Sequence, residues 1–139
     1  MTTTYSELLG SHQVEIPAHL TADAEIPVLS GMQRQGDIMV IPARAAKIAG
    51  QKPVPVEGIA VVRGEAGGNT HLLVADGPGV LYAARQATAA NPDLGTLTVP
   101  EGSAAYLLHP EHGASGHGPG DYIIRRQVEA AEQARLVAD

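Results

Sequence analysis

Ile59-Ala60-Val61-Val62-Arg63, Gly64-Glu65-Ala66-Gly67-Gly68-Asn69, Thr70-His71-Leu72-Leu73-Val74-Ala75, Asp76-Gly77-Pro78-Gly79 and Val80-Leu81-Tyr82-Ala83-Ala84-Arg85 follow one another without a gap. Short apolar runs alternate with Gly-, Asp- and Pro-rich turns, which is the spacing of a β-meander. Working outward, Ala104 to Leu108 and Gly95 to Val99 flank the turn Pro100-Glu101-Gly102-Ser103, and Asp121 to Val128 makes a last strand. Upstream, Gly36-Asp37 opens the run Ile38-Met39-Val40-Ile41, which Pro42 stops. About seven short strands at this spacing, with no central helix long enough to cross between parallel strands, predict an all-β domain. The expected form is a small jelly-roll-like sandwich or barrel.

The flanks read differently. Residues 1–35 are expected to form an extended N-terminal arm, with a helical turn near Ser6 to Gly10 and extended pieces at Val14 to Ile16 and Glu25 to Leu29. Two Glu-Ile-Pro triplets, at 15–17 and 25–27, end in a residue that cannot donate to a ladder, so they favour sheet edges. Residues 36–128 are the β-domain. Ala43 to Ala49 is expected to make two helical turns stopped by Gly50, and 129–139, rich in Ala, Glu and Gln, a short C-terminal helix.

The chain has 139 residues, enough for one domain with a real core. Its aromatics are four Tyr, so Val, Ile, Leu and Ala must fill the interior, which suits thin β-layers. With no Cys there is neither a disulfide nor a thiolate metal site; a metal would need His and carboxylate ligands. The formal charge of −6 and scattered Lys and Arg argue against nucleic acid as a partner. No apolar run approaches a membrane span, and Met1 to Glu7 lacks the basic start and apolar core of a signal peptide, so a cytoplasmic protein is expected.

Chemistry concentrates in Leu107-Leu108-His109-Pro110-Glu111-His112-Gly113 and the Gly-rich run to Gly120, which hold three of the six histidines. Pro110 forces His109 towards extended backbone, so these residues cannot be a helical zinc motif; His109 ends a strand and His112 follows on a tight loop. Two such imidazoles can converge on a divalent metal ion with a third ligand from elsewhere. His71, at the rim of its strand, is the leading third ligand, and His117, Glu65 and Asn69 are further candidates. Glu111 reads as a partner orienting an imidazole, or as a solvated charge. The competing reading is a solvated His-rich loop. Metal-free acid–base chemistry at His109 and His112 would need neighbours that tune two imidazoles apart. Asp76 and Asp93 are explained by their turns, and no Ser lies in a nucleophile elbow.

Two resemblances sit on these residues. Gly64 to His71 is similar in position to the first motif of cupins, with Asn69-Thr70-His71 where those barrels carry His-x-His. A closer one joins Gly36 to Pro42, Gly64 to His71, His109 to Gly113, and Pro119 to Tyr122 running into Arg126 to Glu129. These blocks resemble an uncharacterised family of small bacterial and phage β-rich proteins, in which the second block typically reads Gly-His-x-His. The resemblance implies a site at the paired His blocks and no activity. The expected function is a small protein with a His-lined, divalent-metal-binding site at His71, His109 and His112, its ligand and catalysis undefined. The alternative is a non-enzymatic, self-assembling structural protein, a homo-oligomer whose arm and C-terminal helix make the contacts between subunits.

Overall fold

The computed structural model describes residues 3–43, 50–62, 70–85 and 91–127. The chain is mostly β. The strands are β1 (Val28–Leu29), β2 (Gln33–Gln35), β3 (Ile38–Pro42), β4 (Lys52–Pro53), β5 (Ile59–Val62), β6 (His71–Asp76), β7 (Leu81–Ala84), β8 (Asp93–Val99), β9 (Ala104–His109), β10 (Gly113–His117) and β11 (Gly120–Arg126). They form two sheets, of order β1-β10-β9-β6-β5 and β2-β3-β11-β8-β7-β4. Every pairing is antiparallel except that of β1 with β10. The expected helices at 43–49 and 129–139 lie essentially outside the described residues, as does the turn at 63–69.

The seven strands expected from the sequence are all present. β9 lies between β10 and β6, and all six of its residues are buried. Alternation explains how: Ala105 and Leu107 join Leu73 in the core with Ile38, Val40, Leu97, Tyr122 and Ile124 of the other sheet. Ala104, Tyr106 and Leu108 point the opposite way, into a second cluster with Leu9 and Ile26 of the N-terminal segment. Burying an aliphatic side chain such as Leu9 contributes roughly 1.5–3 kcal/mol, so the segment is a working layer of the fold.

That segment carries the one helix among the described residues, α1 (Tyr5–Ser11). Thr4 caps it, its hydroxyl accepting from the Glu7 amide at 3.2 Å, and Gln13, at φ 58°, lies just beyond its end. Glu15-Ile16-Pro17 forms no strand; at the second triplet Glu25 makes an isolated bridge to Thr4, and β1 follows as an edge strand.

One expectation needs correction. The Gly-rich run after His112 is a paired strand, β10, in full register with β9. Its glycines answer to crowding: a Cβ on Gly116 would stand 2.6 Å from the Pro27 carbonyl oxygen and 3.1 Å from the Tyr106 ring. The absence of side chains lets β1 lie alongside.

Candidate functional site

The site is assembled at one end of the two sheets from four places in the chain. The β6–β9 register pairs Leu72 with Leu108, which sets His71 beside His109 on the face shared with Leu73 and Leu107. His112 lies on the turn between β9 and β10. Its ring is held over the β2–β3 hairpin, where a Cβ on Gly36 would come within 2.8 Å of Nε2. Gly36 and Asp37 form a two-residue turn with positive φ only at its first position, the II′ pattern that asks for glycine. The Gln127 amide donates to the Asp37 carbonyl at 2.7 Å and ties the hairpin tip to the end of β11.

The three imidazoles pack into one cluster. Ring centroids are 4.3 Å apart for His71 and His109, 4.6 Å for His109 and His112, and 6.5 Å for His71 and His112, so His109 is the corner. His71 and His109 are buried, and His112 is exposed.

Hydrogen bonds fix what each ring can do. Gln35 Nε2 donates to the Leu107 carbonyl at 2.7 Å, so its Oε1 faces His71 Nδ1, at 2.9 Å. An amide oxygen only accepts; the His71 proton therefore sits on Nδ1, and Nε2 presents a lone pair. That lone pair faces Asp37 Oδ1 at 4.0 Å. Burial above all, with His109 beside it, pulls His71 down to about 4 against the opposing pull of Asp37. His109 has the other tautomer: its Nδ1 accepts from the backbone amides of Glu111 at 3.0 Å and His112 at 3.3 Å, so its proton is on Nε2. Glu111 thus orients His109 through its amide.

A family model, described as a domain of unknown function (DUF8820), matches residues 34–127, about two-thirds of the chain. The chain belongs to that family. Nothing among curated proteins or solved structures matches it. The DUF8820 segment takes in Gln35, Asp37, His71, His109 and His112, and leaves out α1 and β1.

Within the DUF8820 segment His117 is placed apart from the cluster. It pairs with Ala105, four residues along β9 from His109, or about 13 Å at strand spacing. Gln33 Nε2 donates to the Gly116 carbonyl at 2.6 Å and reaches His117 Nδ1 at 3.3 Å, so His117 carries its proton on Nε2 and gives it to Ser115 Oγ at 2.9 Å. The ring is wholly buried, which pulls it to about 4, and its tautomer is the wrong one to activate Ser115 as a nucleophile. Asn69 and Glu65 lie outside the described residues.

Sequence reasoning missed Gln35 and Asp37. Asp37 and Gln35 come from a hairpin more than 30 positions before His71, and Arg126 Nε lies 3.5 Å from Asp37 Oδ2. Gly36-Asp37 was legible as the start of a strand run; that it is a hairpin turn, and where it docks, was not. Asp93, read as a turn residue, also holds Arg125 Nε at 2.6 Å. No helix among the described residues is long and apolar enough to cross a membrane.

Proposed function

We propose that this end of the domain, a jelly-roll-like pair of sheets, binds a divalent metal ion through His71 Nε2, the Asp37 carboxylate and His112, with His109 as support. One observation carries the reading: the lone pair on His71 Nε2 and Asp37 Oδ1 face each other at 4.0 Å, two acceptors with no donor between them. A proton does not fill that gap at neutral pH, because burial keeps His71 unprotonated until about 4. A divalent cation would, once the Asp37 carboxylate swings inwards, because donors on a tetrahedral ion with bonds of about 2.0–2.2 Å stand roughly 3.3–3.6 Å apart.

His71 has the form a metal-ligating imidazole takes, its other N–H committed to an amide oxygen. His109 has the opposite form, so the sequence-derived set of His71, His109 and His112 is revised to His71, Asp37 and His112. Among the described residues no three such side chains already converge on one point. Asp37, on an exposed turn, is the group free to turn inwards. Two imidazoles and a carboxylate suit a first-row divalent ion and leave coordination positions open. Bound metal would supply Lewis acidity there.

The test is a Co2+ titration of tag-free protein followed by visible absorption, with Zn2+ competition. Wild type is expected to bind one ion, and His71→Ala and Asp37→Asn to bind at least tenfold more weakly while keeping the wild-type circular dichroism spectrum. Absence of binding by wild type, or equal binding by His71→Ala, overturns the proposal.

A further inference from the structure

The N-terminal segment that covers β6 and β9 is bonded to itself and not to what it covers. Among the described residues, the hydrogen bonds of residues 3–26, main chain and side chain, have both ends inside that stretch. The Tyr5 amide donates to the Ala24 carbonyl at 3.2 Å, Ser6 to Ala22 at 2.8 Å, Ile26 to Thr3 at 2.9 Å and Val14 to Leu9 at 2.8 Å. The segment meets the sheet through apolar side chains alone, with Leu9 and Ile26 buried in one cluster with Val74, Tyr106 and Leu108. A separate molecule docks in the same way, with its own polar groups satisfied and an apolar core in contact. The segment also lies wholly outside the DUF8820 match at 34–127.

Its link to the body is short and exposed. β1 pairs with β10 over two residues, and the Gly118 amide donates to the Leu29 carbonyl at 2.9 Å. Pro27 to Met32 are all exposed, and the chain bends at Ser30-Gly31. Gly31 has no positive φ, and nothing lies within 4 Å of where its Cβ would stand. This conformation therefore does not ask for glycine there; what glycine supplies is easy access to other backbone conformations. Val28, Leu29 and Met32 are three of the four exposed large hydrophobic residues among those described, and they flank this bend.

We propose that two copies of the chain exchange the segment: residues 3–29 of each dock on the face of β6, β9 and β10 of the other, with Ser30 to Met32 as the crossover hinge of a two-fold dimer. Each copy presents the same face, so every contact made within one chain is remade between two, and exchange needs no new complementarity. The new contact forms where the hinges cross. Three residues, straightened, reach about 10 Å, which brings Val28, Leu29 and Met32 of the two copies together and takes them out of water. A foreign partner on the same face would leave the displaced Leu9 and Ile26 in water. A second copy leaves neither uncovered.

The chain has no Cys, so Ser11→Cys and Glu101→Cys, both at exposed positions, place one spin label on the segment and one on the body. Doubly labelled full-length protein, refolded with excess unlabelled chain, is read by double electron–electron resonance, and sedimentation velocity follows its mass over a wide concentration range. A concentration-dependent dimer is expected, in which the distance between the two labels of one chain is longer than in the monomer, because the segment has moved to the partner's body. Leu29→Ser and Met32→Ser should weaken the dimer about tenfold and leave the unfolding midpoint of the monomer unchanged, since both side chains are already exposed there. A monomer at every concentration overturns the proposal. So does a dimer that keeps the monomer distance, which would be a side-by-side pair. Neither result bears on the metal reading, whose residues lie outside 3–29.

Discussion

His71 donates from Nδ1 to Gln35 Oε1 at 2.9 Å, and its direction is dictated from the far side of the amide, where Gln35 Nε2 is spent on the Leu107 carbonyl. Two residues earlier on β2, Gln33 uses its Nε2 on both the Gly116 carbonyl and His117 Nδ1. The same residue type thus imposes opposite tautomers on two buried histidines. Only His71 is left with an inward lone pair, so a glutamine on the neighbouring sheet decides which histidine can act.

Gln35→Leu should uncouple this. The change leaves the Leu107 carbonyl and His71 Nδ1 without their partner in a buried site, at a cost of roughly 1–3 kcal/mol in urea unfolding. Because the orienting hydrogen bond is lost as well, metal affinity should fall about 10- to 100-fold. An unfolding midpoint and metal affinity both unchanged would show that Gln35 does not set the tautomer.

Acid should unfold the protein through its buried histidines before its carboxylates. His71 and His117 titrate at about 4 in the folded chain against 6.5 for the free group, so the unfolded chain takes up protons first as pH falls. Their contribution is fully present above about 6.5 and is lost as pH falls towards 4, on the order of 3 kcal/mol for each ring. Denaturant unfolding between pH 7 and 4.5 should show a falling midpoint, with a slope approaching two protons. A flat profile over that range would contradict neutral, buried rings.

The N-terminal layer offers a separate test. Leu9 is fully buried beneath α1 against the face of β6 and β9 that bears Val74, Tyr106 and Leu108. Leu9→Ala should cost roughly 2–5 kcal/mol, the range for an aliphatic cavity. Gly116→Ala should cost about 1–3 kcal/mol by overpacking and should loosen β1 specifically, because the new methyl meets the Pro27 carbonyl. Limited proteolysis should then cut near residues 12–30 faster than in wild type; equal cleavage would mean that β1 pairing does not depend on this contact.

How much of this was legible beforehand follows from where each signal is stored. Strand positions are local, and alternation with turn residues exposed seven of them. β10 was hidden because its reason for being Gly-rich is non-local: Pro27 and Tyr106 crowd it from elsewhere in the chain. The pairing of His71 with His109 was readable as two strand-end histidines; the role of each was not, since it depends on which atom of Gln35 or of the Glu111 amide meets the ring. Asp37 was legible only as the opening of a strand run, and only the docking of the hairpin brings its carboxylate to His71.

The division of labour between His109 and His112 can be separated by paired substitutions. His109 is buried, and its Nδ1 closes the turn by accepting two backbone amides, so its loss should be felt in stability. His109→Asn keeps a side-chain acceptor near Nδ1 and should preserve the turn and most of the metal affinity. His109→Ala strips both amides of their acceptor and should cost about 1–3 kcal/mol. His112 is exposed, rests on Gly36 and makes no such closure, so His112→Ala should leave the unfolding midpoint nearly unchanged while weakening Co2+ binding at least tenfold. If instead His109→Asn abolishes metal binding in a folded protein and His112→Ala leaves it intact, His109 is a ligand. The tautomer argument would then fail at its corner residue.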